Sequence, residues 1–216
     1  MTSSNELSIW VNCTYTTLPR VPNTHPPHSL DITMAATQRE LLDSLHDWQT
    51  QLIMGGHDPY VLTLMFNPIG GGEKAIMRAM VRETELTYAR LLTRLIKKPK
   101  RTPVECMPML FAWPDWPVHK NEKISLNEAS INGGAHIQGL FLIPQVSRAK
   151  KDLSEIVGEK QDQFAGPNHV LARLHAVRVD RTHKRVQDYL SKFVKRGRTT
   201  MSDLIVLPRT HTEMDR

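Results

Sequence analysis

The run Ala135-His136-Ile137-Gln138-Gly139-Leu140-Phe141-Leu142-Ile143-Pro144 constrains this chain more than any other stretch. A continuous apolar segment that stops at a proline reads as a buried strand. His136 and Gln138 are two residues apart, so in a strand they point to the same face. Gly139 is expected to leave room beside them. Two polar side chains on one face of a central strand need partners or a ligand, because a buried polar group without one is costly. Either they form a hydrogen-bonded pair inside an ordinary sheet, or an imidazole and an amide oxygen join a carboxylate around a hard or borderline divalent cation.

The rest of the chain supplies elements to surround that strand. Residues 1 to 33 are polar and carry Pro19, Pro22, Pro26 and Pro27, so they read as an N-terminal arm. One folded domain is expected over 34–208, with 209–216 as a C-terminal tail. A helix is expected from Ala35 to about Ile53, with Leu41, Leu45, Trp48 and Leu52 on one stripe. Tyr60 to Phe66 is a strand of β-formers without charge, and Asn67 to Gly72 is a loop. The glycines of that loop lack the Gly-Lys-Ser/Thr of a phosphate loop. Glu73 to Ile96 is a long amphipathic helix. Further strands are expected within Pro103 to Trp113, centred on Met107 to Ala112, at Leu174 to Val179 and at 203–207. A helix opens at Ser147, and another runs from about His183 to Arg196. Trp113 and Trp116 stand in a proline-rich turn, where they either pack or stack on bases. Strands interleaved with helices make an α/β (α+β) domain around one sheet.

Charge narrows the class. The net charge is +6 over 216 residues, which suits a polyanionic partner. Arg94, Lys97, Lys98, Lys100 and Arg101 crowd the end of the long helix. That is more than a helix dipole requires, so the group is expected to contact phosphates. Cys13 and Cys106 have no spacing of a disulfide framework or zinc knuckle. No secretory signal pattern and no membrane-length apolar run is present, so a cytoplasmic or nuclear setting is expected.

The last strong helix carries the second informative pattern. At 100° per residue, Arg185, Tyr189, Lys192 and Arg196 fall within about 60° of one another. Val186, Leu190 and Phe193 form a separate apolar stripe that can dock on the sheet. Tyr189 then faces outward among cations, an odd place for a structural tyrosine. A phenol ordinarily titrates near pH 10, so a nucleophilic tyrosine needs help. Lys192, one turn on, can stabilise the phenolate or pair with a phosphate. A cation at His136 and Gln138 would polarise that phosphate. The other reading is a surface tyrosine on a helix that grips phosphates without chemistry.

Together these motifs resemble the HUH endonucleases, the superfamily of rolling-circle replication initiators, relaxases and related transposases. Leu62-Thr63-Leu64-Met65-Phe66-Asn67-Pro68 is similar to the first-strand motif of small circular-DNA initiators. His136-Ile137-Gln138-Gly139 resembles the histidine–hydrophobic–histidine metal motif, with glutamine in the second place as in circovirus-like initiators. Tyr189-Leu190-Ser191-Lys192 resembles the Tyr-x-x-Lys nucleophile motif, in its single-tyrosine form. The resemblance covers roughly residues 58 to 198. It implies a central antiparallel five-stranded sheet flanked by helices, an HUH/RRM-like nuclease fold with the metal motif on a central strand. It implies Mg²⁺ or Mn²⁺, and nicking and strand transfer on single-stranded DNA through a covalent 5′-phosphotyrosine, in replication or mobilisation of a plasmid, virus or mobile element. Tyr189 and Lys192 would be catalytic, and His136, Gln138 and Glu128 would hold the metal. Glu122 and Glu105 are alternatives to Glu128, and His169, His175 and His183 are further substitutes. Arg185, Lys195, Arg196, Lys97, Lys98, Lys100 and Arg101 would contact DNA. No Walker-type loop occurs, so a separate helicase is an expected partner, and a monomer or weak oligomer is expected. The alternative class is a nucleic-acid-binding protein of the same fold without catalysis.

Overall fold

The computed structural model describes residues 30–115, 131–180, 183–196 and 199–209. Five strands form one sheet: β1 (Asp58–Phe66), β2 (Met109–Asp115), β3 (His136–Ile143), β4 (Leu171–Arg178) and β5 (Ile205–Leu207). Their order is β4-β1-β3-β2-β5, and every neighbouring pair is antiparallel. The expected five-stranded antiparallel sheet is therefore present, with β3 at its centre.

Alternation along the strands builds two faces. One face carries Leu62, Leu64, Ala112, Ile137 and Phe141. It is covered by α2 (Glu73–Leu95) through Met80, Tyr88, Leu91 and Leu95, and by α3 (Leu153–Glu159) through Leu153 and Val157. A one-turn helix, α4 (Gln161–Phe164), adds Phe164. The other face carries Phe111, Trp113, Leu140 and Leu142. It packs on α1 (Leu30–Met54) through Leu42, Leu45 and Leu52, and on α5 (His183–Leu190) and α6 (Lys192–Lys195) through Leu190 and Val194. Helices on both faces of one sheet let each face bury its apolar side chains.

Several expectations shift by one element edge. Helix α1 begins at Leu30, inside the stretch read as an arm; residues 1–29 lie outside the described part. Its buried positions are Leu42, Leu45, Gln49 and Leu52, while Leu41 is half exposed. Trp48 stays at the boundary, its ring edge-on to Phe111 at 4.9 Å between centroids. The helix read from Ser147 starts instead at Leu153, because Asp152 caps it by accepting from the Ser154 amide at 2.8 Å.

The last helix is divided by a turn at Ser191, whose buried hydroxyl donates back to the Gln187 carbonyl at 2.8 Å. Such back-bonding competes with the regular ladder. The inward positions are Gln187, Leu190, Ser191 and Val194, with Val186 packed beside them.

β2 runs to Asp115, two residues past the stretch expected to hold it. Trp113 is a strand residue that is almost fully buried, which removes it from base stacking. Pro114 is tolerated because β5 pairs β2 only over Leu110–Ala112, so a proline beyond that span removes no bond to β5. Trp116 lies outside the described residues.

Candidate active site

His136 and Gln138 stand on the same face of β3, as the two-residue spacing requires, and it is the face covered by α1 and α5. Register then chooses their neighbours. On one side Asp115 of β2 sits opposite His136, and Trp113 sits opposite Gln138. On the other side Thr63 of β1 sits opposite Gln138, and His175 of β4 sits opposite Thr63. Residues directly opposite in antiparallel strands share a face. The polar end of β3 is therefore flanked by a carboxylate, a hydroxyl and, two strands away, an exposed imidazole.

Gly139 serves the opposite face. A Cβ there would lie 2.6 Å from the Ala112 Cβ and 2.8 Å from the Phe111 carbonyl oxygen. Its role is to let β2 and β3 approach closely, not to open space beside His136.

Asp115 is the residue the sequence reading missed. It is 4% exposed. Its Oδ2 accepts from the Lys192 ammonium at 2.8 Å and lies 3.6 Å from His136 Nε2. The same Lys192 ammonium sits 4.0 Å from the centre of the Tyr189 ring. Four side chains from four elements thus form one continuous group: Tyr189 on α5, Lys192 on α6, Asp115 at the end of β2 and His136 at the start of β3. Tyr189 is 52% exposed at the rim, whereas the acid–lysine pair lies beneath it.

The donor set suits a divalent cation. His136 Nδ1 is 3.2 Å from the Gly134 carbonyl oxygen. With the proton on that nitrogen, the Nε2 lone pair faces the Asp115 carboxylate, an arrangement that a cation relieves. Two buried oxygens nearby, Asp115 Oδ1 and Gln138 Oε1, have no hydrogen-bond partner among the described residues. The Gln138 amide nitrogen makes only a long contact of 3.5 Å to Thr63 Oγ1. Buried oxygens of this kind are normally satisfied, so these two are open to a water or a ligand. One imidazole nitrogen with carboxylate and amide oxygens fits Mg²⁺ or Mn²⁺. Among the described residues no three His, Cys, Asp or Glu side chains come together, and the amide of Gln138 is the donor that stands beside His136 and Asp115.

Not all of the other expected ligands lie among the described residues. Glu128 and Glu122 lie outside the described residues. Glu105 precedes β2, whose first residue pairs with Leu142, so it stands beyond the far end of the strands from His136. His169 belongs to the loop tied to Asn67, whose side-chain amide donates to the carbonyls of Gly166 and His169 at 2.8 Å each. His183 opens α5, two turns before Tyr189.

The expected DNA contacts separate into two groups. Arg185, Lys195 and Arg196 are exposed on or beside the helices that bear Tyr189 and Lys192. Lys195 is paired with Asp188 at 2.5 Å. Lys97, Lys98, Lys100 and Arg101 are not part of this site. They follow the C-terminus of α2, next to the turn that leads into Met109, while His136 and Asp115 mark the other end of the same strands. The length of β3 separates the two groups, roughly 20–25 Å at the usual strand rise.

No described helix is long and apolar enough to cross a membrane. No family model, no curated protein and no solved structure matches this chain.

Proposed function

We propose that the chain is a metal-dependent endonuclease that nicks single-stranded DNA and transfers the cut strand, through a 5′-phosphotyrosine at Tyr189. The observation that carries the reading is the shared ammonium: Lys192 lies against both the Tyr189 ring and the Asp115 carboxylate beside His136. It is supported by the resemblance of the three motifs to the HUH endonucleases and by the central position of β3.

In this reading the Tyr189 oxygen attacks a backbone phosphorus from the solvent side. The new bond joins the phenolic oxygen to phosphorus, and the bond from phosphorus to the 3′ oxygen breaks. The phenol's proton ends on the released 3′ hydroxyl, so the step conserves charge and atoms. A second 3′ hydroxyl reverses it and completes strand transfer. Lys192 stabilises negative charge as it develops on the phenolic oxygen. Asp115 holds Lys192 in place, and the Gly134 carbonyl fixes the orientation of the His136 ring. A divalent ion held by His136, Asp115 and Gln138 would supply Lewis-acid polarisation of the scissile phosphate. Arg185 and Arg196 would bind flanking phosphates, and a separate helicase would open duplex DNA ahead of the enzyme.

The test is a reaction with closed single-stranded DNA circles of mixed sequence and Mn²⁺, resolved on a denaturing protein gel. The expected result is linear DNA covalently attached to protein. Tyr189→Phe should abolish the adduct while single-strand binding persists. Absence of any adduct from the unaltered protein, with binding intact, would leave the non-catalytic DNA-binding reading in its place. An adduct that survives Tyr189→Phe would move the nucleophile elsewhere.

A further inference from the structure

The basic run after α2 has its own surroundings. The Arg148 guanidinium donates to the carbonyls of Arg94 at 2.9 Å and Thr93 at 2.6 Å, and the Arg148 amide donates to Leu95 at 2.8 Å. These bonds join residues 148–150 to the end of α2, so two basic runs distant in sequence meet there. They also satisfy the carbonyls that close the helix, the task often left to lysines past a helix end. Lys97, Lys98 and Arg101 are therefore surplus to capping. They are exposed, as is Lys150, and none of these four has an acidic partner among the described residues. Lys97 and Lys98 border a cleft of about 430 Å³ with Thr102, Pro103, Cys106 and Val146. Exposed acids close in sequence or pairing are Glu105 and Glu159, the latter bonded to Lys151.

We propose that Lys97, Lys98, Lys100, Arg101, Arg148 and Lys150 form a second nucleic-acid surface, which grips the phosphates of double-stranded DNA. Charge brings phosphates to it, and the lining decides which kind of strand. Single strands are held by stacking bases on flat aromatic rings. Among the described residues, Val104 and Val146, both aliphatic, are exposed large side chains at this end, whereas the exposed aromatics Trp48 and Tyr189 belong to α1 and α5 in the other layer. Phe164, beneath Arg94, is fully buried. A duplex keeps its bases stacked inside and offers only phosphates and grooves, which is what an aromatic-free basic surface can hold. The distance to Tyr189's end of the sheet equals about seven base steps at 3.4 Å each. The inference rests on this surface alone and stands whether or not Tyr189 cuts DNA.

Fluorescence anisotropy with a duplex of about 20 base pairs and an oligothymidine of about 20 nucleotides tests it. In the variant Lys97→Ala, Lys98→Ala, Arg101→Ala, Lys150→Ala, duplex binding should weaken at least roughly tenfold. The slope of log affinity against log salt should become shallower by about 3 to 4. Oligothymidine binding should stay within about twofold. Equal losses on both probes, or unchanged duplex binding, would overturn the proposal. If that variant does not fold, Lys98→Glu and Lys150→Glu, each at an exposed site, are read by the same two probes.

Discussion

Among the described residues Lys192 touches the Tyr189 ring and the Asp115 carboxylate, two groups with opposite demands, and its removal affects both. Its side chain is 17% exposed and that of Asp115 is 6% exposed, so the pair is largely desolvated. Breaking such a pair leaves an uncompensated buried charge, which costs about 3 kcal/mol. Lys192→Met keeps the volume and deletes the charge, so the melting temperature should fall by roughly 6–12 °C for a domain of this size. Adding Asp115→Asn removes the orphaned charge and should recover about half of that loss, because residues in direct contact are not additive. Thermal melts of the single and double variants measure this. A single variant that melts within about 1 °C of the parent would show that the pair contributes little. The catalytic reading adds a different signature at the same residue. Loss of Lys192 should slow adduct formation even at temperatures where the variant is fully folded.

At the scale of elements, the seating of α5 against α1 decides where Tyr189 sits. Gln187 is buried between them and donates to the His46 carbonyl at 3.1 Å and to Thr50 Oγ1 at 3.3 Å. His46 itself is held below its ordinary protonation range, first by burial and then by the Lys195 charge; Asp188, Asp43 and Asp47 act in the opposite direction. His57, at the end of α1, is also lowered by burial. A histidine with a depressed folded value binds fewer protons when folded than when unfolded. Its contribution is therefore complete above the unfolded value of about 6.5 and is lost as pH falls through that value toward the lower folded one. The melting temperature should drop between pH 7 and pH 5, and His46→Gln should make that drop smaller without removing the part due to His57. An identical pH slope in the variant would exclude His46 as the source.

The same elements show what a sequence alone can and cannot convey. The strand from His136 was legible because a continuous apolar run has few other uses, and the parity of His136 and Gln138 followed from strand geometry. Helix α1 was legible as a helix, but its buried face was misjudged by one position. Leu41 and Trp48 are apolar, yet polar Gln49 is the residue that turns inward. Asp115 was hidden for a different reason. Trp-Pro-Asp-Trp-Pro reads as a turn, and only the unpaired outer edge of β2 beyond Ala112 explains why a proline can sit in that strand. Once β2 reaches Asp115, pairing Ala112 with Gly139 puts the acid opposite His136. Charge clustering marked a basic surface without placing it: the length of β3 sets Lys97–Arg101 at the other end of the sheet from His136.

Over the whole molecule, one sheet holds two chemically different ends. At one end β2 and β3 bring together an imidazole, a carboxylate and an amide, with two buried oxygens that have no partner among the described residues. At the other, the chain leaving α2 meets the chain leaving β3 in a basic surface. A ligand that binds the folded chain and not the unfolded one stabilises the entire domain, so the first end can be interrogated without any DNA. At a Mn²⁺ concentration about one hundredfold above its dissociation constant, linkage adds about 2.7 kcal/mol. For a domain of this size that raises the melting temperature by roughly 5–11 °C, and excess chelator should reverse it. Asp115→Ala, His136→Ala and Gln138→Ala should each diminish the rise, while Lys98→Ala, at the distant end, should leave it unchanged. Gln138 discriminates best, because its amide is neutral and its removal leaves the net charge of the site as it was. A rise that persists in all three variants would place the ion outside this group, and no rise in the parent protein at millimolar Mn²⁺ would remove the metal from the proposed reaction.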